Sequence, residues 1–289
     1  ATRAHSAIVM GAEGMLPAVK ILLTGNRGMI GSVIEAELQV IGHEVVGYDR
    51  LDDLDILDTN SLEKAIRGCE AVIHLASPSG NPEDAPHETI QAIVQGTWNV
   101  LLAAEKARVR RVVYMSSVDA LGVFHGERKP DYLPLDDNHP CYPATPYAIG
   151  KYLAEQLCRH WCARTGIATL CLRPPGVWRP ETYAKIQELR SERPAYEWDP
   201  YWQYGAFIDV RDLAAATPRG LSCSLAGFAC VLIASSDITT SGKTSKELAD
   251  FVHPDVEWRG GSEYQIEPYR SLLITEQAET LLGWKPVHT

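Results

Sequence analysis

Tyr147 and Lys151 stand four residues apart behind Thr145 and Pro146, which read as the cap and first turn of a helix. On a helix that spacing puts the phenol and the ammonium on one face. A free phenol titrates near 10 and is a poor base at neutral pH, but a neighbouring cation favours its anion. Lowering its pKa by ~3 units would take ~4 kcal/mol of differential stabilisation. Ser117, at the end of the apolar run Arg111–Met115 and Ser116, can donate a hydrogen bond to the oxygen that Tyr147 protonates or deprotonates. Such a trio would exchange a proton with a single substrate oxygen.

The elements that must position the trio begin at Ile21-Leu22-Leu23, an apolar strand running into Thr24-Gly25-Asn26-Arg27-Gly28-Met29-Ile30-Gly31. Helical periodicity starts there (Ile30, Val33, Ile34, Leu38) and stops at Gly42. A strand, a glycine turn and a helix start cradle a pyrophosphate, because glycines admit the backbone and the helix N-terminus faces the anion. A second strand, Glu44 to Tyr48, ends in Asp49, near the spacing of roughly 20 residues at which an acid takes the adenosine ribose hydroxyls. Strand, turn, helix, strand and acid in that order read as a dinucleotide site. Together with Tyr147, it reads as a hydride-transfer site, with nicotinamide on one face of a carbon and the tyrosine on its oxygen.

Further along, Asp55 and Ile56 are candidates for a strand end beside the adenine. Asn60 with Glu63 reads as a capping box for a helix ending at Gly68. Ala71 to Ala76 is uniformly apolar, as a parallel strand buried on both faces should be, and it breaks into Ser77-Pro78-Ser79-Gly80 at a ligand-binding strand end. His74, inside that strand, reads as a packed histidine. A helix is predicted over 87–107, a strand over 111–115, a helix from 146 to about 164, and a strand over 167–172 closed by Arg173-Pro174-Pro175. This alternation requires an α/β fold, a doubly wound parallel sheet with right-handed crossovers. Residues 178–206 are crowded with aromatic and charged side chains (Trp178, Arg179, Tyr183, Arg190, Arg193, Tyr196, Trp198, Tyr201, Trp202, Tyr204), suited to a polar ligand or a solvated flap. The expected organisation is a leader over 1–19, a Rossmann core over 20–177 to which 207–235 returns, and a small substrate-binding lobe from 178–206 and 236–289.

Bulk properties exclude several classes. A net charge of −10 without a basic run argues against nucleic acid, and no apolar stretch reaches the roughly 18 residues of a membrane span. The seven cysteines are scattered without a C-x-x-C pair, which points to reduced thiols and a cytoplasmic protein. Cys158 and Cys162 share a helix face, but His160 points away from it, so buried thiols are expected and no metal.

The chain resembles the extended short-chain dehydrogenases/reductases of the NAD-dependent epimerase/dehydratase family. The resemblance rests on Thr24-Gly25-x-x-Gly28-x-Ile30-Gly31, Asp55-Ile56, His74-Leu75-Ala76, Gly96-Thr97-x-Asn99-Val100-Leu101 and Ser116-Ser117. Tyr147-x-x-x-Lys151, Leu172-Arg173-Pro174, Phe207-Ile208-x-Val210-x-Asp212 and Leu282-Gly283-Trp284 extend it over residues 20–286. It implies that Ser117, Tyr147 and Lys151 are catalytic. It also implies a cofactor set of Gly25, Arg27, Gly28, Met29, Ile30, Gly31, Asp49, Arg50, Asp55, Ile56, Leu75, Ala76, Ser77 and Pro174 beside Tyr147 and Lys151. The helices near 87–107 and 147–164 would form a homodimer interface. Ile93, and Gly176 in Gly176-Val177-Trp178-Arg179-Pro180, replace asparagines common in members acting on nucleotide sugars. A smaller sugar, sugar acid or other small carbonyl or alcohol is therefore expected, with Ser77, Ser117 and Arg173 on the substrate. The run from Arg173 to Pro180 is similar to uronate-type dehydrogenases, in which an arginine at this position would meet a substrate carboxylate. Asp49 favours NAD; Arg27 and Arg50 could instead clamp the 2′-phosphate of NADP. The readings are an NAD-dependent dehydrogenase or epimerase, an NADPH-dependent carbonyl reductase, or a non-catalytic dinucleotide-sensing regulator.

Overall fold

The computed structural model describes residues 18–78, 84–125, 128–193, 203–239 and 242–288. The expected leader, Ser79, Gly80 and the aromatics Tyr196, Trp198, Tyr201 and Trp202 thus lie outside the described residues, Ala18 and Val19 excepted. Strands β1 (Lys20–Thr24), β2 (Glu44–Tyr48), β3 (Ala71–His74), β4 (Arg111–Met115), β6 (Ala168–Arg173) and β9 (Phe228–Leu232) form one parallel sheet in the order β2-β1-β3-β4-β6-β9. The order reverses at β1, whose neighbours are β2 and β3, so a crevice opens at the carboxyl ends there.

Alternating strand residues feed two cores, as a sheet covered on both faces requires. Leu23, Ile73, Val113 and Leu170 pack under α1 (Met29–Val40), α7 (Val210–Ala216) and α10 (Glu276–Leu282). Leu22, Val72, Val112 and Cys171 pack under α2 (Thr59–Ala65), α4 (Gly96–Ala107) and α5 (Pro146–Thr165). Thr145 caps α5, accepting from Ala148 N at 3.2 Å, and Pro146 opens it, as its sequence predicts. The cap of α2 differs from expectation: Asp58, not Asn60, accepts from Asn60 N and Ser61 N. Helix α3 (Pro86–Ile90) runs through a π turn (Gln91–Gln95) into α4, and Ile93 from this turn packs on Gly150 of α5.

A third core joins the segment after β4 (Val118, Leu121, Phe124) to β5 (Tyr132–Leu133), α8 (Ser245–Val252), α9 (Glu263–Ile266) and Leu272–Leu273, with β5 paired to β10 (Glu257–Trp258). Part of the aromatic stretch is core, not ligand surface. Trp178, in β7 (Gly176–Trp178), stacks 4.7 Å from Phe207 of β8 (Phe207–Asp209), and Tyr183 of α6 (Pro180–Glu192) packs edge-on against both. The Phe207–Asp212 motif also has a structural role, since the buried Asp212 carboxylate accepts from Val287 N, His288 N and His288 Nδ1 and holds that end of the chain on α7.

Candidate active site

The glycine turn is too tight for a side chain at Gly25 or Gly31. Gly25 N donates to Tyr48 O at 2.9 Å, and Gly25 takes φ +75°, where an added Cβ would lie 2.8 Å from Ala76 N. An added Cβ at Gly31 would lie 2.1 Å from Gly25 O. No side chain caps α1 behind Gly28, so its first-turn N–H groups remain for an anion. This backbone cradle at the sheet's reversal point fits the pyrophosphate of a dinucleotide.

Asp49 sits at the end of β2 and ties the turn in place: its Oδ2 accepts from Arg27 N at 3.1 Å and its Oδ1 from Leu51 N at 2.9 Å. Arg27 pairs with Asp52 at 2.9 Å, and Arg50 stands 3.6 Å from Asp55. The motif around Gly96 becomes legible here. A Cβ on Gly96 would meet Ile56 Cδ1 at 2.3 Å, and Asn99 Nδ2 donates to Ile56 O at 3.0 Å. Thr97 Oγ1 lies 3.0 Å from His74 Nε2, while His74 Nδ1 lies 2.6 Å from Thr24 Oγ1. That buried chain locks β1, β3 and α4 together; burial first, then Lys151, lowers the pKa of His74 to about 3, keeping it neutral. His74 is the packed histidine its sequence context implies.

From this cradle a cavity of about 250 Å³ runs to the catalytic candidates. It brings together Gly25, Gly28, Met29, Ile30, Gly31, Leu75, Ser77 and Pro174 with Ser117, Tyr147 and Lys151. Arg27, Asp49, Arg50, Asp55, Ile56 and Ala76 lie outside its lining, on the β2 side or behind it. Met115, Ser116, Pro175 and Val177 line the cavity without having been expected; each is next to, or within three residues of, an expected strand-end residue.

Arg173 departs from expectation. It is buried, and its guanidinium is held by Glu155 of its own chain, with Nε to Oε1 at 2.8 Å and a second nitrogen to Oε2 at 2.7 Å. The nitrogen that donates to Oε2 also lies 3.4 Å from Cys141 Sγ. The fork expected to read a substrate carboxylate already has one. Glu155 is the residue that sequence reading missed, although it extends the pattern to Tyr147-x-x-x-Lys151-x-x-x-Glu155, which repeats one helical face.

The electrostatics also correct a simple picture. Burial pushes the Tyr147 phenol well above its ordinary value and Asp119 pushes the same way, while the hydrogen bond with Ser117 pulls it down. Lys151 does not offset this: its ammonium donates to Met115 O at 2.8 Å and stands 5.5 Å from the Tyr147 ring centre. Burial lowers the pKa of Lys151 to about 8, against the opposing pull of Glu155 and Asp119. In the protein alone Tyr147 is therefore a protonated acid, and base character needs a further positive charge in the cavity. Cys158 and Cys162 are buried thiols on α5 and His160 is exposed. Among the described residues, no helix is long and apolar enough to cross a membrane.

The comparisons with known proteins bear on the family and the fold. The sequence model of the NAD dependent epimerase/dehydratase family matches residues 21–219. The chain is 30% identical to a putative UDP-glucose 4-epimerase of Methanocaldococcus jannaschii over 92% of this chain and 93% of that one. It is also 30% identical to cinnamoyl-CoA reductase 1 of Petunia hybrida, over 72% of this chain and 66% of that one. The fold matches the crystal structure of UDP-glucose 4-epimerase from Brucella ovis in complex with NAD, with a TM-score of 0.69, 21% identity and coverage of 94% of each chain. The chain belongs to the NAD-dependent epimerase/dehydratase family, enzymes of the short-chain dehydrogenase/reductase type that work with a nicotinamide dinucleotide.

Proposed function

We propose that this enzyme oxidises, or oxidises and re-reduces, a hydroxyl-bearing carbon of a small sugar-like substrate, with Tyr147 as the acid/base. The observation that carries this reading is one cavity joining a backbone pyrophosphate cradle to Ser117, Tyr147 and Lys151. The bound nicotinamide supplies the hydride acceptor and, when oxidised, the positive charge that Tyr147 needs. Tyr147 Oη takes the proton of the substrate hydroxyl, or returns it to a carbonyl oxygen. Ser117 donates to the same oxygen and holds it in register. Lys151, fixed by Met115 O, stands on the same helix face as Tyr147 and adds to the charge that the nicotinamide brings.

Three features support narrower choices. Arg173 is taken by Glu155, which favours a neutral polyhydroxylated substrate over a sugar acid. Arg27 and Arg50 face Asp52 and Asp55, and Asp49 stands beside them, which favours NAD over the extra phosphate of NADP. The third core, with α6 beside it, is the natural substrate-binding lobe. A second reading, an NADPH-dependent carbonyl reductase, has the similarity to the Petunia enzyme behind it. A homodimer through α4 and α5, whose Leu153 is 41% exposed, and a reducing compartment suited to free thiols complete the proposal.

The test follows NADH absorbance while the protein meets NAD and a panel of neutral aldoses, uronates and small alcohols, with chromatography of each sample. Net NADH with an oxidised aldose marks a dehydrogenase. A changed sugar without net NADH marks an epimerase. Turnover of uronates alone would overturn the assignment of Arg173, and turnover with NADPH and carbonyls alone would replace the first reading by the second.

A further inference from the structure

Helix α5 and the segment after β4 carry Tyr147, Lys151 and Ser117, and a single carboxylate joins them to the end of β6. Glu155 lies on α5, one turn beyond Lys151 and two beyond Tyr147, and its side chain is 1% exposed. Its Oε1 accepts from Ser116 Oγ at 2.6 Å and from Arg173 Nε at 2.8 Å, and its Oε2 accepts from the second Arg173 nitrogen at 2.7 Å. Ser116 follows the last residue of β4 and immediately precedes Ser117. Arg173 ends β6 immediately before Pro174. Both Ser116 and Pro174 line the cavity. The carboxylate therefore fastens the ends of two adjacent strands to the helix that carries Tyr147 and Lys151.

We propose that Glu155, with Arg173 as its counter-ion, is a positioning residue for this site: it sets the carboxyl ends of β4 and β6 against α5 and keeps a negative charge one turn from Lys151. The inference rests on the reading of Tyr147 and Lys151 as the acid/base pair. Arg173 alone could brace the strands without a carboxylate facing Lys151, but it could not accept from Ser116. The other groups around Lys151 are Tyr147 on its own helix, Tyr114 of β4 with its ring centre 5.1 Å away, His74 of β3, Cys171 of β6, and Asp119 in the turn after Ser117. His74 is neutral and burial holds Cys171 and Tyr114 protonated, so Glu155 and Asp119 are the anions that retain the Lys151 proton against burial.

The test reads Lys151 directly. Protein labelled with ¹³C at lysine Cε is titrated by NMR, the Lys151 signal being identified by its loss in Lys151→Met. Glu155→Gln is expected to lower the Lys151 midpoint by about one unit. Glu155→Asp, which draws the charge back by one methylene, is expected to lower it less and carries the test should the glutamine variant not fold. An unchanged midpoint in either folded variant overturns the electrostatic role. Ser116→Ala removes the 2.6 Å bond and is expected to lower kcat several-fold at unchanged KM for NAD; unaltered kcat overturns the bracing role. A midpoint that moves in Glu155→Gln while Tyr147→Phe leaves turnover intact would retain Glu155's electrostatic role toward Lys151 and reject the catalytic reading.

Discussion

The two ends of the cleft solve the same problem, placing charge next to a ligand, in opposite ways. At the adenosine end the ligand's charge would be met by backbone: glycines without room for a Cβ, helix N–H groups, and Asp49 accepting from two amides. The arginines there are surface groups, with Arg27 and Asp52 side chains 53% and 41% exposed. At the end with Tyr147 and Lys151 the charges are side chains taken out of water, with Arg173 and Glu155 at 6% and 1%. Burial makes each charge there expensive to remove and strongly felt by its neighbours, whereas solvent screens the pairs at the other end. The difference teaches that the arginine most suggestive of a ligand in the sequence, Arg173, is held by a carboxylate of its own chain, and that the same carboxylate sits on the helix of Tyr147 and Lys151.

Substitutions can break that contrast, and the largest effect is expected at the buried pair. Arg173→Met leaves the buried Glu155 carboxylate without its counter-ion and should cost about 3–5 kcal/mol of stability, read by urea unfolding. A cost under 1 kcal/mol would make the two ends alike. Gly31→Ala places a Cβ against Gly25 O and should cost about 1–3 kcal/mol and weaken NAD binding at least tenfold by calorimetry. Unimpaired binding would remove the backbone cradle from the account.

His74 gives a pH-dependent test between the two ends. Its folded pKa, about 3, lies below the unfolded value near 6.5, so the folded state resists protonation. Its contribution is whole above pH 6.5 and falls by about 1.4 kcal/mol per pH unit as pH drops from there towards 3. His74→Gln should flatten that slope in unfolding measured across pH, and an equal slope in both proteins would refute the neutral buried histidine. The smallest effect belongs to Arg27→Met, below about 1 kcal/mol, because its pair with Asp52 is exposed.

Local patterns made much of this legible in the sequence. Strands β1 to β4 and β6, the glycine turn, the Thr145–Pro146 helix start and the shared face of Tyr147 and Lys151 are short-range features, and they stand close to where their spacing puts them. What sequence reading missed depends on partners remote in the chain. Arg173 looks available until α5 is laid over β6 and brings Glu155 to it. Trp178 and Tyr183 look like ligand surface until β7 pairs with β8 and places them on Phe207. Asp58 rather than Asn60 caps α2, because its carboxylate stands two and three residues before the free amides of Asn60 and Ser61 and accepts from both. The raised phenol of Tyr147 is a matter of burial, and four-residue spacing does not report burial.

The most direct test of the central claim compares wild type with Tyr147→Phe in two measurements on the same preparations: NAD affinity by calorimetry and turnover of the best substrate from the panel. The account predicts equal affinity and a turnover lowered by about 10²–10⁴-fold, since the variant keeps the ring and loses only the proton-bearing oxygen. Equal turnover in the two proteins would contradict it.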